Sequence, residues 1–327
     1  MRLGKQILWW ASLSGLTLLA ACDSQNTPAP SGTPTSRQAA PTPAAAEKSA
    51  PPVSTPAPQP ATPPVQTPAP APEKPTSATS GTLTTADLTE AASKGLLAEV
   101  QAHLAAGADI NALGKANATA LYTAISRGKL DVAAFLIEKG ADLNIPNKEG
   151  WAPLHFAALR GDKAAAQLLL DKGAQVDPVT SSGWTPLHYA ADRGKTDVAT
   201  LLLEKGASLK SKEKDGWTPL HFAAEKQHLD TAKVLVEKGA EINATSNGGG
   251  TPLHEASAGN SASVEMIEYL LSKGADINAR TKTGKSALDY TLDAKNQPLA
   301  DFLRQHGAQE TPATGAPAPG PTPVPAP

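Results

Sequence analysis

Apolar residues recur along this chain in short groups with helical spacing. Leu187, Ala190 and Ala191 lie at positions i, i+3 and i+4, which puts them on one face of a helix. Thr185 and Pro186 precede them, and these residue types favour the N-cap and the first helical position. The pattern predicts a short helix that begins beside Pro186 and has one apolar face.

A second helix is predicted directly after the first. Val198, Leu201 and Leu202 repeat the apolar spacing, Gly194 separates them from the first helix, and Gly206 follows them. Glycine commonly ends a helix because it adopts the left-handed conformation without strain. The segment therefore predicts a helix, a turn and a second helix.

The same arrangement recurs at a fixed period. Successive Gly-Ala pairs are separated by 33, 33, 33, 33, 35 and 33 residues. They begin at Gly107, Gly140, Gly173, Gly206, Gly239, Gly274 and Gly307. Two helices this short cannot bury their apolar faces alone, so we expect seven units to stack into a solenoid stabilised by neighbouring units.

Short sequence motifs also recur from unit to unit. "TPLH" occurs at 185–188, 218–221 and 251–254, "APLH" at 152–155, and "GADIN" at 274–278. The period and these motifs resemble the ankyrin repeat. The resemblance implies an all-α solenoid of seven helix-turn-helix units with short β-turn or hairpin loops, covering 83–308. Units one and seven depart from the motif as terminal units do.

Two internal units also depart from the pattern. The second unit has "TALYTA", without the proline or the histidine, and the sixth carries two extra residues within "SAGNSASVEM". We expect the insertion to lengthen the link between the two helices of unit six. It is either a tolerated surface insertion or a recognition feature.

Four histidines occupy one position of the repeat, which raises the hypothesis of a metal site. They are His155, His188, His221 and His254. Packed helices lie roughly 8–10 Å apart, so residues on successive units cannot converge on one ion whose ligands lie at ~2 Å. The ankyrin resemblance implies instead that each histidine bridges to the backbone of the adjoining unit.

The resemblance further implies a concave groove, made by the turn tips and the first helices, in which variable residues bind a partner. In this chain they are Lys148, Glu149, Trp151, Leu159, Arg160, Ser182, Trp184, Asp192, Arg193, Lys214, Asp215, Trp217, Glu225 and Lys226. Two hypotheses are open for the three tryptophans: they pack across their own turns, or they form a ladder of contacts to the partner.

The N-terminus has the layout of a secretory signal. Arg2 and Lys5 precede an apolar run from Ile7 to Ala21, which is too short to span a bilayer comfortably. "LAAC" at 19–22 resembles the lipobox of bacterial lipoproteins, and Cys22 is the single cysteine of the chain. The resemblance implies cleavage after residue 21 and acylation of Cys22. Asp23 weakly favours the inner over the outer membrane.

Both ends of the mature chain are rich in proline. Residues 22–82 and 309–327 hold few large apolar side chains, so burial cannot offset their ordering entropy. We expect a disordered tether at 22–82, which extends the solenoid away from the membrane, and a disordered tail at 309–327.

Charge and motifs narrow the functional classes. The 29 basic and 31 acidic residues are almost balanced, which argues against nucleic acid as a partner. Nucleophile-elbow, zinc-protease and paired-cysteine motifs do not occur in the sequence, so we expect neither an enzyme nor a cofactor. We expect a monomeric, lipid-anchored, periplasm-facing adaptor that binds another protein. An immunity protein against a toxic effector and a cell-wall or glycan binder are the alternatives.

Overall fold

A computed structural model of the protein describes residues 85–114, 117–259 and 262–310. The predicted signal peptide, Cys22, the tether and residues 311–327 of the tail lie outside the described residues. Within those ranges the chain forms fourteen helices and no strand. The helices form seven consecutive pairs, which confirms the predicted all-α solenoid of seven units.

The helices of the described ranges are α1 (Thr85–Lys94), α2 (Leu97–Ala105), α3 (Ala120–Ser126), α4 (Leu130–Glu138), α5 (Pro153–Arg160), α6 (Lys163–Asp171), α7 (Pro186–Asp192), α8 (Thr196–Glu204), α9 (Pro219–Glu225), α10 (Leu229–Glu237), α11 (Pro252–Ser257), α12 (Val264–Ser272), α13 (Ala287–Asp293) and α14 (Gln297–Gln305). Each unit contributes an odd-numbered first helix and an even-numbered second helix.

The core is a continuous strip of small and branched apolar side chains between the two rows of helices. Each first helix packs against its own second helix and against the first helices on either side, and the second helices from α2 to α10 also pack in order. Leu187 and Ala191 of α7 and Val198 and Leu202 of α8 are fully buried. The alanines keep neighbouring first helices close, so burial depends on the adjacent units.

Short turns precede the first helices of units two to seven, and each is closed by its own backbone. In unit four, Thr180 N–H donates to Trp184 O at 3.0 Å, and Gly183 N–H donates to Thr180 O at 2.8 Å. Gly183 has φ of +82°, which favours glycine. In unit two this position is held by Asn117 at φ +55°, since asparagine tolerates the left-handed region better than most residues.

Successive turns are joined to one another. Ser181 N–H donates to Glu149 O at 3.0 Å, Lys214 N–H donates to Ser182 O at 3.1 Å, and Asn247 N–H donates to Asp215 O at 2.9 Å. From unit three to unit seven, the backbone of each turn tip is thus bonded to that of the next turn.

The four repeated histidines form a second set of bridges. In unit four, His188 Nδ1 accepts the N–H of Thr185 at 3.1 Å, and its Nε2–H donates to Trp217 O of the next unit at 3.1 Å. His155, His221 and His254 make the same pair of bonds. All four side chains are buried. Each histidine caps its own helix and ties it to the adjoining unit.

Tyr122 takes the place of the missing histidine in unit two. Thr119 Oγ1 accepts the N–H of Tyr122 at 3.1 Å and caps α3. Asn147 Nδ2 donates to the Tyr122 hydroxyl at 2.8 Å. The longer side chain therefore reaches a side chain of the next turn instead of its backbone.

A third set of bridges joins the segments that follow the second helices. Asn144 Oδ1 accepts the N–H of Gln175 at 2.8 Å, and Asn243 Oδ1 accepts the N–H of Asp276 at 2.9 Å. Asp177 replaces asparagine in unit three: one carboxylate oxygen accepts the N–H of Ser208, and the other is buried without a partner among the described residues. Burial accordingly raises the pKa of Asp177.

The insertion in unit six is confined to the link between its two helices, as predicted. Helix α11 has 6 residues, one fewer than α9, and the chain runs from Ala258 to Ser263 before α12. The side chain of Gln227 spans this junction: Nε2 donates to Ala256 O at 2.9 Å, and Oε1 accepts the N–H of Ser263 at 3.1 Å. These bonds accompany a left-handed φ of +59° at Gln227, where units one to four have glycine and unit seven has Lys295 at φ +56°.

The histidine bridges predict acid sensitivity. Burial lowers the pKa of His155, His188 and His221 from 6.5 to about 4. The unfolded chain therefore takes up protons first as the pH falls. Stability that is present above pH 6.5 is lost between pH 6.5 and about 4, and the free energy of unfolding falls by roughly 1.4 kcal/mol per pH unit for each histidine. We expect the urea midpoint of the wild type to fall across this window.

His188→Gln removes one of these titrating groups and provides the comparison. The variant is less stable at neutral pH because it loses a bridge, but its stability should depend less steeply on pH between 6.5 and about 4. Urea unfolding followed by circular dichroism at several pH values measures both slopes. Equal slopes would contradict a neutral, bridging His188.

Candidate protein-binding surface

The predicted partner-binding residues at the turn tips lie next to one another in successive units. Lys148, Ser182, Lys214 and Asp215 are exposed and Glu149 is half-buried. Because neighbouring turns are joined by backbone hydrogen bonds, the spacing of these side chains is fixed before any partner binds.

The other predicted residues lie at the C-terminal ends of the first helices. Arg160, Arg193 and Lys226 are exposed and occupy equivalent positions in units three, four and five, while Leu159 is half-buried. We call the turn tips together with these first-helix ends the turn-tip face.

Charges of both signs alternate on the turn-tip face. Arg193 Nε lies 3.0 Å from Asp192 Oδ2, and Lys226 Nζ lies 3.3 Å from Glu225 Oε1. Exposed pairs of this kind contribute about 0–1 kcal/mol to stability. They therefore contribute little to the stability of the fold.

The three tryptophans pack within an aromatic column that runs through units two to five. Trp184 contacts Tyr189 of its own unit with ring centroids 4.7 Å apart, and Phe222 of the next unit at 4.2 Å. Trp151 makes the corresponding contacts with Phe156 at 4.7 Å and Tyr189 at 4.3 Å. The column consists of Tyr122, Phe156, Trp151, Tyr189, Trp184, Phe222 and Trp217.

This arrangement matches the packing hypothesis for the tryptophans and extends it across units. Trp151, Trp184 and Trp217 are each half-buried, so they also border the turn-tip face. Sequence analysis missed Phe156, Tyr189 and Phe222. An aromatic residue directly after the repeated histidine was the available signal, but the contact with the next unit becomes visible only in the structure.

The repeated histidines beside this face are fully engaged in hydrogen bonds within the protein. The four histidines are buried and hydrogen-bonded at both ring nitrogens. Across the described ranges, no group of three or more histidine, cysteine, aspartate or glutamate side chains is placed to hold a metal ion. What the surface offers is a rigid row of polar turn tips beside partly exposed rings.

The sequence matches family models of the ankyrin repeat. A model of three ankyrin repeats matches residues 88–180 and 172–246, and a single-repeat model matches 248–282. The chain belongs to the ankyrin repeat family. The crystal structure of the human ASB11 ankyrin repeat domain is 30% identical, with a TM-score of 0.59 over 69% of this chain and 99% of that chain. No curated protein sequence matches.

Ankyrin repeats indicate a scaffold for protein-protein interaction, and such domains are generally not enzymes. None of the helices in the described residues is long and apolar enough to cross a membrane.

The aromatic column predicts a stability role for Trp184. Trp184→Ala removes the pairs with Tyr189 and Phe222, each contributing ~0.5–1.5 kcal/mol beyond burial, so we expect a loss of about 2 kcal/mol or more. The matched substitution Lys214→Ala, at an exposed turn tip, should change stability by no more than ~0.5 kcal/mol. Urea unfolding measures both variants. If the two midpoints shift equally, Trp184 does not stabilise the stack.

Proposed function

We propose that this ankyrin domain binds another protein through the turn-tip face, and that a lipid on Cys22 holds it at a bacterial envelope membrane, facing the periplasm. The face corresponds to the concave groove of the family. The tether at 22–82 then separates the domain from the membrane, and the binding module acts as a monomer.

The observation that carries the binding proposal is the pre-organisation of the turn tips. Backbone hydrogen bonds of 2.9–3.1 Å join the tips of units three to six, and the aromatic column supports them from below the surface. A surface that is already ordered loses little conformational entropy on binding, so more of the contact energy is available for affinity.

Two partners fit this proposal. A resident envelope protein would make the chain an adaptor, whereas a toxic effector delivered to the periplasm would make it an immunity protein. The glycan-binding alternative has weaker support, because the ring of Trp184 is occupied by contacts with Tyr189 and Phe222 and sugars stack on open aromatic faces.

Charge reversal at the turn tips tests the proposed face. Lys148→Glu together with Lys214→Glu changes two exposed residues of the face, and we expect recovery of the bound protein to fall at least about tenfold because mismatched charges oppose association. The measurement is affinity capture of the full chain from cross-linked envelope extract, quantified by mass spectrometry. The identity of the captured protein distinguishes adaptor from immunity protein.

Lys172→Glu together with Lys238→Glu is the matched control. These lysines are exposed at the ends of α6 and α10, in the row of second helices, and carry the same charge change. Recovery should stay at the wild-type level. Equal losses in both pairs, or no loss in either, would rule out the turn-tip face as the binding surface.

Membrane attachment is tested separately at Cys22. We expect Cys22→Ser to abolish acylation and to move the protein from the membrane to the soluble envelope fraction, because serine lacks the thiol that carries the proposed lipid anchor. Metabolic labelling with a clickable fatty acid and membrane fractionation measure the two effects. A variant that stays acylated and membrane-bound would show that Cys22 is not the anchor. Density-gradient separation of the wild type tests the weak Asp23 preference for the inner membrane.

A further inference from the structure

The aromatic column stops abruptly at unit six. In units three to five a tryptophan precedes the capped helix and an aromatic residue follows the histidine, but unit six has Gly250 and Glu255 at these two positions. Among the described residues, the ring contacts of Trp217 are with His221 and Phe222 of its own unit. By the register of the repeats, Glu255 occupies the place of the ring that would pack against Trp217.

The carboxylate of Glu255 lies over the glycine that replaces tryptophan. A Cβ atom built on Gly250 would meet Glu255 Oε1 at 2.8 Å, so the carboxylate occupies the space in which a side chain at position 250 would begin. On the side of unit seven, Tyr290 packs against His254 with centroids 5.5 Å apart. A single acid therefore replaces two rings between Trp217 and Tyr290.

Glu255 has no internal counter-ion in the part of the chain that the structure describes. Its carboxylate forms neither a hydrogen bond nor an ion pair there. Lys285 pairs with Asp293, and Arg280 lies 4.0 Å from Asp289. Burial raises the pKa of Glu255 to about 7, and the charge of Glu225 on α9 adds to this effect. On α13, burial and then the charge of Glu255 raise the pKa of Tyr290. On α12, Glu265 and Glu268 are exposed.

We propose that unit six binds a lysine or arginine side chain of the partner protein, with Glu255 pairing with the cation between Trp217 and Tyr290. This deepens the proposed function, on which it rests, by naming the chemistry of the partner. Aromatic rings attract cations at their faces, and a carboxylate accepts charge-assisted hydrogen bonds from ammonium or guanidinium groups. The bound cation supplies the counter-ion that the chain itself does not.

Blocked tripeptides with a central arginine, lysine or norleucine serve as probes of this site. The full chain is titrated with each, and the indole N–H resonance of Trp217, assigned by its loss in Trp217→Phe, is followed by NMR. We expect a saturable shift with arginine and lysine but not with norleucine. Glu255→Gln should weaken this binding at least about fivefold, while Glu268→Gln, a matched control on the exposed side of unit six, should leave it unchanged.

Titration of the wild-type Glu255 carboxyl carbon gives a second readout that does not depend on a variant. A bound cation favours the ionised acid, so the pKa of Glu255 should fall below its value of about 7 when the arginine tripeptide is present. The tripeptide should also bind more tightly at about pH 8 than at about pH 6, and Glu255→Gln should lose this difference.

Equal affinity of the wild type and Glu255→Gln, or no saturable shift with either cationic tripeptide, would overturn the proposal. An unchanged pKa of Glu255 in the presence of the arginine tripeptide would do so as well. These measurements use defined probes, so their failure leaves the capture experiment at Lys148 and Lys214 unaffected. Conversely, a result that rules out the turn-tip face as the binding surface would come from the affinity-capture experiment and not from the tripeptide titrations.

Discussion

In four units of this solenoid, a buried imidazole accepts a backbone N–H at the start of its own helix and donates to a backbone carbonyl of the next unit. The donor-acceptor distances are 3.0–3.1 Å in every case. Burying a polar ring is unfavourable unless both nitrogens are satisfied, and the second partner exists only when the next unit is in place. Folding of one unit is therefore tied to that of its neighbour, as expected for a linear array of repeats.

The dependence of each unit on the next also orders the proposed binding face. The carbonyl that each histidine holds belongs to the residue directly before the next helix cap, for example Trp217 in the case of His188. Because this residue is held in place, the turn that contains it is held as well. That turn is hydrogen-bonded to the following turn. The order of the proposed binding face is thus a by-product of the order of the core, and the aromatic column adds contacts between the two.

Much of the fold could be predicted from sequence because its determinants are local and repeated. Cap residues such as Thr185 and Pro186, and the glycine of each turn, determine the structure within a few residues of themselves. The period shows that the same local structure recurs along the chain. Substitutions that use distant partners could not be predicted: Tyr122 reaches Asn147, and Gln227 reaches Ser263. For the same reason the candidate surface was predicted by position. The contact of Trp184 with Phe222 and the isolation of Glu255 required the structure, since both depend on the side chains that neighbouring units place nearby.

The link between α11 and α12 shows how such an array tolerates change. His254 still bonds to the backbone of Lys285, and Lys282 N–H still donates to Gly248 O at 2.9 Å, although the chain between these partners is two residues longer than in the other units. The extra length leaves both of these hydrogen bonds between units in place. The length of that link could therefore change during evolution, and the link could acquire a new binding specificity, with little effect on the rest of the fold.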